Sequence, residues 1–296
     1  MHRIFVLLAG FAPAALPAQG SAGTALWRLA AATLPLPPAL ATGGTGAFWN
    51  PAQPAGTERA SLALDAIETP PEVGAAGVLV TARARVKPFG QVGVVYGRMG
   101  IGDLVRTSLS PEPDPGTIPY HTQTVGANWS AAAGGMTIGA TLAYQDTRLD
   151  LATSERWTFD VGGRYGVSGA LTVAAATHFF SHLATDDPAQ DLYGGLELRV
   201  WRGPLWGSRG TVQGRYGVAT GHGFTADHLL GAGFELGRQF SSDFVVAREG
   251  SHGAAAWRVV AGVRLAVGRY RVSFARGAGL NDVGAAYRVG LEATLP

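Results

Sequence analysis

From residue 58 onward the chain alternates apolar and polar side chains with a period of two, and no other feature limits its fold so tightly. Near 75–87, Val78, Val80, Ala82, Ala84 and Val86 share one face, while Thr81, Arg83, Arg85 and Lys87 share the other. Near 283–295, Ala285, Tyr287, Val289, Leu291, Ala293 and Leu295 oppose Arg288, Gly290, Glu292 and Thr294. Between these ends, Phe159, Val161, Tyr165 and Val167 oppose Asp160 and Arg164, and Leu196, Leu198 and Val200 oppose Glu197 and Arg199. Val212, Tyr216 and Val218 oppose Thr211, Gln213 and Arg215; Trp257, Val259, Val263, Leu265 and Val267 oppose Arg258 and Arg264; Tyr270, Val272 and Phe274 oppose Arg269, Arg271 and Ser273. A helix would repeat every 3.6 residues, so these are strands.

About fourteen strands are expected, near 58–67, 75–87, 89–108, 117–132, 135–147, 154–166, 169–182, 190–202, 206–220, 227–239, 242–249, 253–267, 269–278 and 283–295. Short turns such as Lys87-Pro88, residues 133–134 and Gly268 follow the even strands. Longer polar segments, for instance 109–116, 147–153 and 183–189, follow the odd ones. A transmembrane strand needs about 9 to 11 residues, which most of these segments reach, whereas soluble strands average about 5 to 6. An even count with two alternating kinds of connection predicts an all-β chain: a transmembrane antiparallel β-barrel of about fourteen strands over 58–296. The apolar face, with Trp, Tyr and Phe near strand ends, points to outer-membrane lipid, and the arginine-bearing face points to the lumen.

Composition fits that reading. Glycine is abundant, at 43 residues, without a three-residue period, and charged residues make up only 15%. The formal charge of +2 argues against a nucleic-acid partner. With no cysteine, the chain has no disulfide, thiolate metal site or cysteine nucleophile.

The first residues read differently. His2 and Arg3 precede an apolar run over 4–16, and Leu16-Pro17-Ala18 offers a small residue for cleavage, so 1–18 is expected to be a signal peptide. Residues 19–57 are proline-rich, with Pro35, Pro37, Pro38, Pro51 and Pro54, and permit at most a short helix near 26–32. Within them lies GGTGAFWNPA, residues 43–52. Gly43, Gly44 and Gly46 allow sharp turns and close backbone approach, Phe48 and Trp49 bring large apolar surface, and Asn50-Pro51-Ala52 stops regular structure. This stretch is expected to be part of a plug inside the barrel, and the chain is placed in the bacterial outer membrane.

The inward set contains Arg83, Arg85, Arg164, Arg199, Arg215, Arg258, Arg264, Arg269, Arg271 and Arg288 against Asp160, Glu197, Glu235 and Glu292. Such a surplus suits a substrate with an anionic head group; it equally suits arginines that brace the wall and bond carbonyls of the plug, which needs no ligand. No catalytic residue, metal site or cofactor is read from the chain. His178 and His182 share a strand face about 13 Å apart, too far for joint ligation, and no serine or orienting acid is grouped with either. GRMGIGD at 97–103 reads as the twisting end of the third strand. Asp114, Asp146, Asp150, Asp186, Asp187, Asp191 and Asp243 are placed in or beside loops, with no calcium-loop spacing.

With GGTGAFWNPA ahead of about fourteen strands, the chain resembles the FadL and PorV/PorQ type of outer-membrane barrel, in which glycines precede an Asn-Pro-Ala segment before the first strand. Asn50, Pro51 and Ala52 carry the match. The resemblance implies a barrel with an N-terminal hatch and one of two roles. One is passive uptake of hydrophobic small molecules; the other is service to a secretion complex or to attachment of surface proteins. The chain departs from the pattern in its compact barrel, its short loops and Gln53, which stands where a glycine is usual. Arg288, Gly290, Ala293 and Leu295 resemble the signal read by the barrel-assembly machinery, although the chain closes on Leu295-Pro296 rather than an aromatic.

Overall fold

The computed structural model describes residues 22–54, 56, 58–105, 116–181, 191–221, 225–250, 256–278 and 284–295. Residues 1–18, read from the sequence as a signal peptide, lie outside them, as do His182, Asp114, Asp186 and Asp187. Fourteen strands follow an N-terminal segment: β1 (Ala60–Glu68), β2 (Ala75–Val86), β3 (Gly90–Ile101), β4 (Tyr120–Ala133), β5 (Met136–Leu149), β6 (Ala152–Gly166) and β7 (Leu171–His178). The second half runs β8 (Asp191–Leu205), β9 (Ser208–Gly221), β10 (Asp227–Leu236), β11 (Phe240–Glu249), β12 (Ala256–Val267), β13 (Tyr270–Ala278) and β14 (Ala285–Leu295). Each pairs antiparallel with its neighbours in the chain, and β1 pairs with β14, so the sheet is a closed barrel.

Closure gives each strand a neighbour on both sides, and burial alternates along the strands as the sequence does. On β2, Leu79 and Thr81 are buried inside while Val78 and Val86 are exposed. On β14, Arg288 and Glu292 are buried inside while Tyr287, Val289, Leu291 and Leu295 are exposed. A soluble barrel would hide those apolar side chains; here they form the outer surface. Trp129, Tyr165, Trp201 and Tyr270 ring one end of it and Trp157, Tyr216, Trp257 and Tyr287 ring the other, the aromatic girdles of a membrane barrel. No helix among the described residues is long and apolar enough to cross a membrane; this chain crosses with strands. The turns after even-numbered strands mark the periplasmic side.

Three boundaries differ from the sequence reading. Only Asp150 and Leu151 separate β5 from β6, because the polar residues on both sides continue the ladder as Thr147↔Ser154 and Arg148↔Thr153. Hydrophilic side chains suit strands that rise above the bilayer, so the polarity marked height and not a loop. β3 stops at Ile101 and β7 at His178, well short of 108 and 182.

The N-terminal segment occupies the barrel interior. Helix α1 (Ala22–Ala31) is followed by two short 3-10 turns, Pro38–Leu40 and Gly44–Phe48. Its prolines prevent a longer helix and give it an extended path that presses on the wall where the wall has no side chain. A Cβ on Gly217 would lie 2.4 Å from Pro37, one on Gly262 2.7 Å from Pro35, and one on Gly139 2.2 Å from the Pro51 carbonyl oxygen. The glycines of the inner face therefore form the bed on which the segment lies.

Leu142 sits near the middle of β5 on the lipid side. Leu142→Arg should destabilise the barrel by about 2–4 kcal/mol, read from reversible urea unfolding in lipid vesicles.

Candidate functional site

Two regions of the interior hold the candidate residues: an aromatic cluster toward the extracellular side and a charged vestibule toward the periplasm. Residues 43–53 run between them. Gly43 and Gly44 have φ of 63° and 48°, left-handed values that side-chain-bearing residues resist, and so start the second 3-10 turn. Phe48 and Trp49 are buried, and their rings stand 5.1 Å apart edge to face. Trp27 from α1 packs at 4.8 Å on Phe48, and Phe179, from the residue after β7, lies 6.0 Å from it. Leu79, Val95 and Met99 of the wall complete this greasy core.

Asn50 fixes the end of the turn. Its Nδ2 donates to the Ala39 carbonyl at 2.5 Å and its Oδ1 accepts from the Ala52 amide at 2.9 Å. Gln53, buried, donates to the carbonyls of Ala41 at 3.2 Å and Asn50 at 2.7 Å, and accepts from the Gly43 amide at 3.1 Å. It thus closes residues 41–53 into a compact loop, a task a glycine has no side chain to perform.

The predicted lumen residues, Arg269 apart, take inward-facing positions on their strands. Arg215 bonds Glu197 at 2.8 Å and also pairs with Asp243, and Arg258 pairs with Glu249 at 2.6 Å while donating to the Ala32 carbonyl. Arg164 donates to the Leu40 carbonyl at 3.0 Å, and Arg199 to the Gly169 carbonyl. Glu292 takes Arg271 at 2.6 Å and Arg83 at 3.6 Å. Arg85 and Arg264 form no ion pair among the described residues. Arg269 is the exception to the inward set: β13 begins one residue later, so Arg269 lies exposed in the turn with its guanidinium 5.1 Å from the Tyr270 ring centre.

Arg288 makes the densest junction. Its guanidinium bonds Asp65 of β1 at 2.7 Å, Thr45 at 2.9 Å and Thr33 at 3.4 Å, and Thr45 also donates to Asp65. One side chain on the last strand thereby joins the first strand and two points of the inner segment.

Two acids lie deeper in strands than sequence reasoning placed them: Asp243 is an inner residue of β11 and Asp146 lies within β5. Asp191 opens β8, at the strand end where it was expected, with its carboxylate 2.7 Å from Arg28. An aspartate inside a strand pattern looks like a loop because open strands disfavour it; facing a lumen with an arginine across from it, it is accommodated. Asp65 and Gln53 were not identified as anchors, since their partners are far away in sequence.

The wall changes character between β6 and β7. Their ladder covers only Gly162–Gly166 against 172–176. Beyond it, the Val161 amide turns to the Thr177 hydroxyl at 3.0 Å, and a single bridge joins Phe159 to Phe180. Phe179 has φ 56°, an uncommon and strained conformation for a bulky side chain, so His178 and Phe179 both turn inward. Asp160 replaces the lost ladder bonds, accepting from the Phe179 amide at 2.6 Å and holding His178 Nδ1 at 3.1 Å. Among the described residues, His178 Nε2 and the Ser181 hydroxyl are buried without partners. The structure therefore orients His178 through an acid that the sequence did not reveal, yet no hydrogen bond links a nucleophile to that base. Among the described residues no group of His, Asp and Glu could hold a metal ion.

A closed barrel with an apolar outer band, aromatic girdles and a polar inner face is a bacterial outer-membrane protein. No protein-family model and no curated protein sequence matches the chain. Solved structures with a similar fold include the outer membrane protein Omp33 of Acinetobacter baumannii, at 7% identity over 80% of this chain and 98% of that one, TM-score 0.48. The toluene transporter TbuX of Ralstonia pickettii is 11% identical over 86% of this chain and 94% of its own, TM-score 0.49. A KdgM porin is 9% identical over 80% and 99%, TM-score 0.38.

Asn50→Ala removes two buried hydrogen bonds, which should cost about 1–3 kcal/mol. The expected outcome is a lower melting temperature together with raised ion conductance in planar bilayers, as the inner segment loosens.

Proposed function

We propose that this outer-membrane barrel is a passive channel for hydrophobic small molecules, on the FadL rather than the PorV pattern, and that the N-terminal segment is its gate. The observation that carries this reading is the break in the β6–β7 ladder beside the aromatic cluster. An apolar solute dissolved in the bilayer reaches the wall from the side, where Phe159 and Phe180 flank the break. Behind it lie His178 and Phe179, and from these two a run of ring contacts leads through Phe48 to Trp27 and Trp49 of the gate. Sideways entry spares the solute a passage through water, where its apolar surface would be costly.

The gate is held by bonds that can be exchanged. Trp27 Nε1, Trp49 Nε1 and His178 Nε2 are buried with no partner, and each such group forfeits about 1–3 kcal/mol. The closed arrangement is thus not optimised for stability at the place where it must yield. Residues 1–18 act in this reading as the export signal, and the C-terminal strand as the segment taken up by the barrel-assembly machinery.

The absence of cysteine makes a clean test available. Phe159→Cys with Phe180→Cys places a thiol pair across the break, and uptake of naphthalene into proteoliposomes is measured in the oxidised and reduced states. Oxidation should remove most of the uptake and reduction should restore it. Equal uptake in both states would sink the lateral route, and loss of a surface-protein partner with intact uptake would favour the secretion or attachment role.

A further inference from the structure

The periplasmic vestibule contains a second site with a chemistry opposite to the aromatic cluster. A cavity of about 400 Å³ lies between the inner segment, at Thr42, Gly43 and Pro54, and the periplasmic ends of the strands. Six arginines line it, Arg59, Arg83, Arg85, Arg238, Arg264 and Arg271, against three acids, Glu58, Glu235 and Glu292. Bracing of the wall accounts for Arg83 and Arg271, which share Glu292. It does not account for Arg85, Arg238 and Arg264, whose guanidinium groups form no ion pair among the described residues. Cations gathered around one cavity repel one another, and the wall beside the half-buried Arg85 and Arg264 strengthens that repulsion. An uncompensated cluster of this kind is stabilised by an anion.

The geometry points to a binding site for a multiply charged oxyanion of the phosphate class, entering from the periplasm and bridging the inner segment to the wall. The unpaired arginines approach from β2, from the turn after β10 and from β12, that is, from different sides. A planar carboxylate occupies one guanidinium fork, whereas a tetrahedral phosphate presents oxygens in several directions and carries a second charge. The volume exceeds that of phosphate alone and leaves space for an attached organic body. Since Gly43 and Pro54 belong to the gate and Arg85 and Arg264 to the wall, an anion held between them fastens the gate in place.

The test uses the full barrel in detergent, titrated calorimetrically with inorganic phosphate, inorganic pyrophosphate, glycerol 3-phosphate and succinate, all at matched ionic strength against sodium chloride. Saturable binding of the phosphates is expected, with a rise in melting temperature. The double variant R85Q/R264Q, which breaks no ion pair, should fold normally and lose both responses. Tighter binding of glycerol 3-phosphate than of inorganic phosphate assigns the site to an organic monoester; the reverse order assigns it to the free ion. Succinate binding as tightly as the phosphates overturns the class. Absence of saturable heat, or heats unchanged in the double variant, overturns the site. The titration contains no hydrophobic solute, so its result stands apart from the naphthalene experiment.

Discussion

Fourteen strands closed into a ring enclose more space than their own inward side chains can fill, unlike the eight-stranded case in which they nearly suffice. The interior must be occupied by something or remain a water-filled channel. Here the chain supplies the filling before it supplies the wall, and the wall is shaped to receive it: glycines at Gly139, Gly217 and Gly262 under the prolines, and arginines at Arg164 and Arg258 aimed at its carbonyls. An extended segment lacks the internal ladder that a helix or strand provides, so its polar groups need partners from outside. Arg164 and Arg258 are such partners. Part of the lumen's polarity is thus explained by the segment it holds, and part by ion pairs within the wall.

Along its axis the filled lumen divides. Toward the extracellular side Trp27, Phe48, Leu79, Met99 and Phe179 form a dry core; toward the periplasm the contacts are ionic and a cavity remains. Residues 43–53 span both, with Phe48 in the one and Gly43 bordering the other. A displacement of this short stretch would disturb an apolar cluster and a cationic one at once. The two ends of this stretch are therefore mechanically linked although their chemistries differ.

The wall was legible in the sequence because each strand faces two different environments, and side-chain parity records both. The sides on which Val78 and Arg83 lie follow from alternation alone. The strand count and the antiparallel order follow from the same signal, whereas the expected alternation of turn lengths fails at β5–β6, where two residues make the connection. What alternation does not record is height and long-range pairing. Arg148 and Thr153 were read as loop because polarity above the bilayer resembles a turn, and Asp243 was set beside one because its arginine is 28 positions away. The end of β7 was illegible for another reason: nothing in His178-Phe179-Phe180 announces a left-handed backbone at an aromatic residue, and only the packing of Phe179 against Trp27 and Phe48 makes it tolerable.

The junction at Arg288 also bears on the order of folding. Arg288 lies on the last strand, Asp65 on the first, and Thr33 and Thr45 on the segment that precedes both. This junction is complete only once β14 has paired with β1, the final step in closing the ring. Until then Thr45 has Asp65 but lacks the guanidinium. The seam of the cylinder and the latch of its contents are one and the same knot, so a barrel with an open seam also leaves its filling incompletely secured.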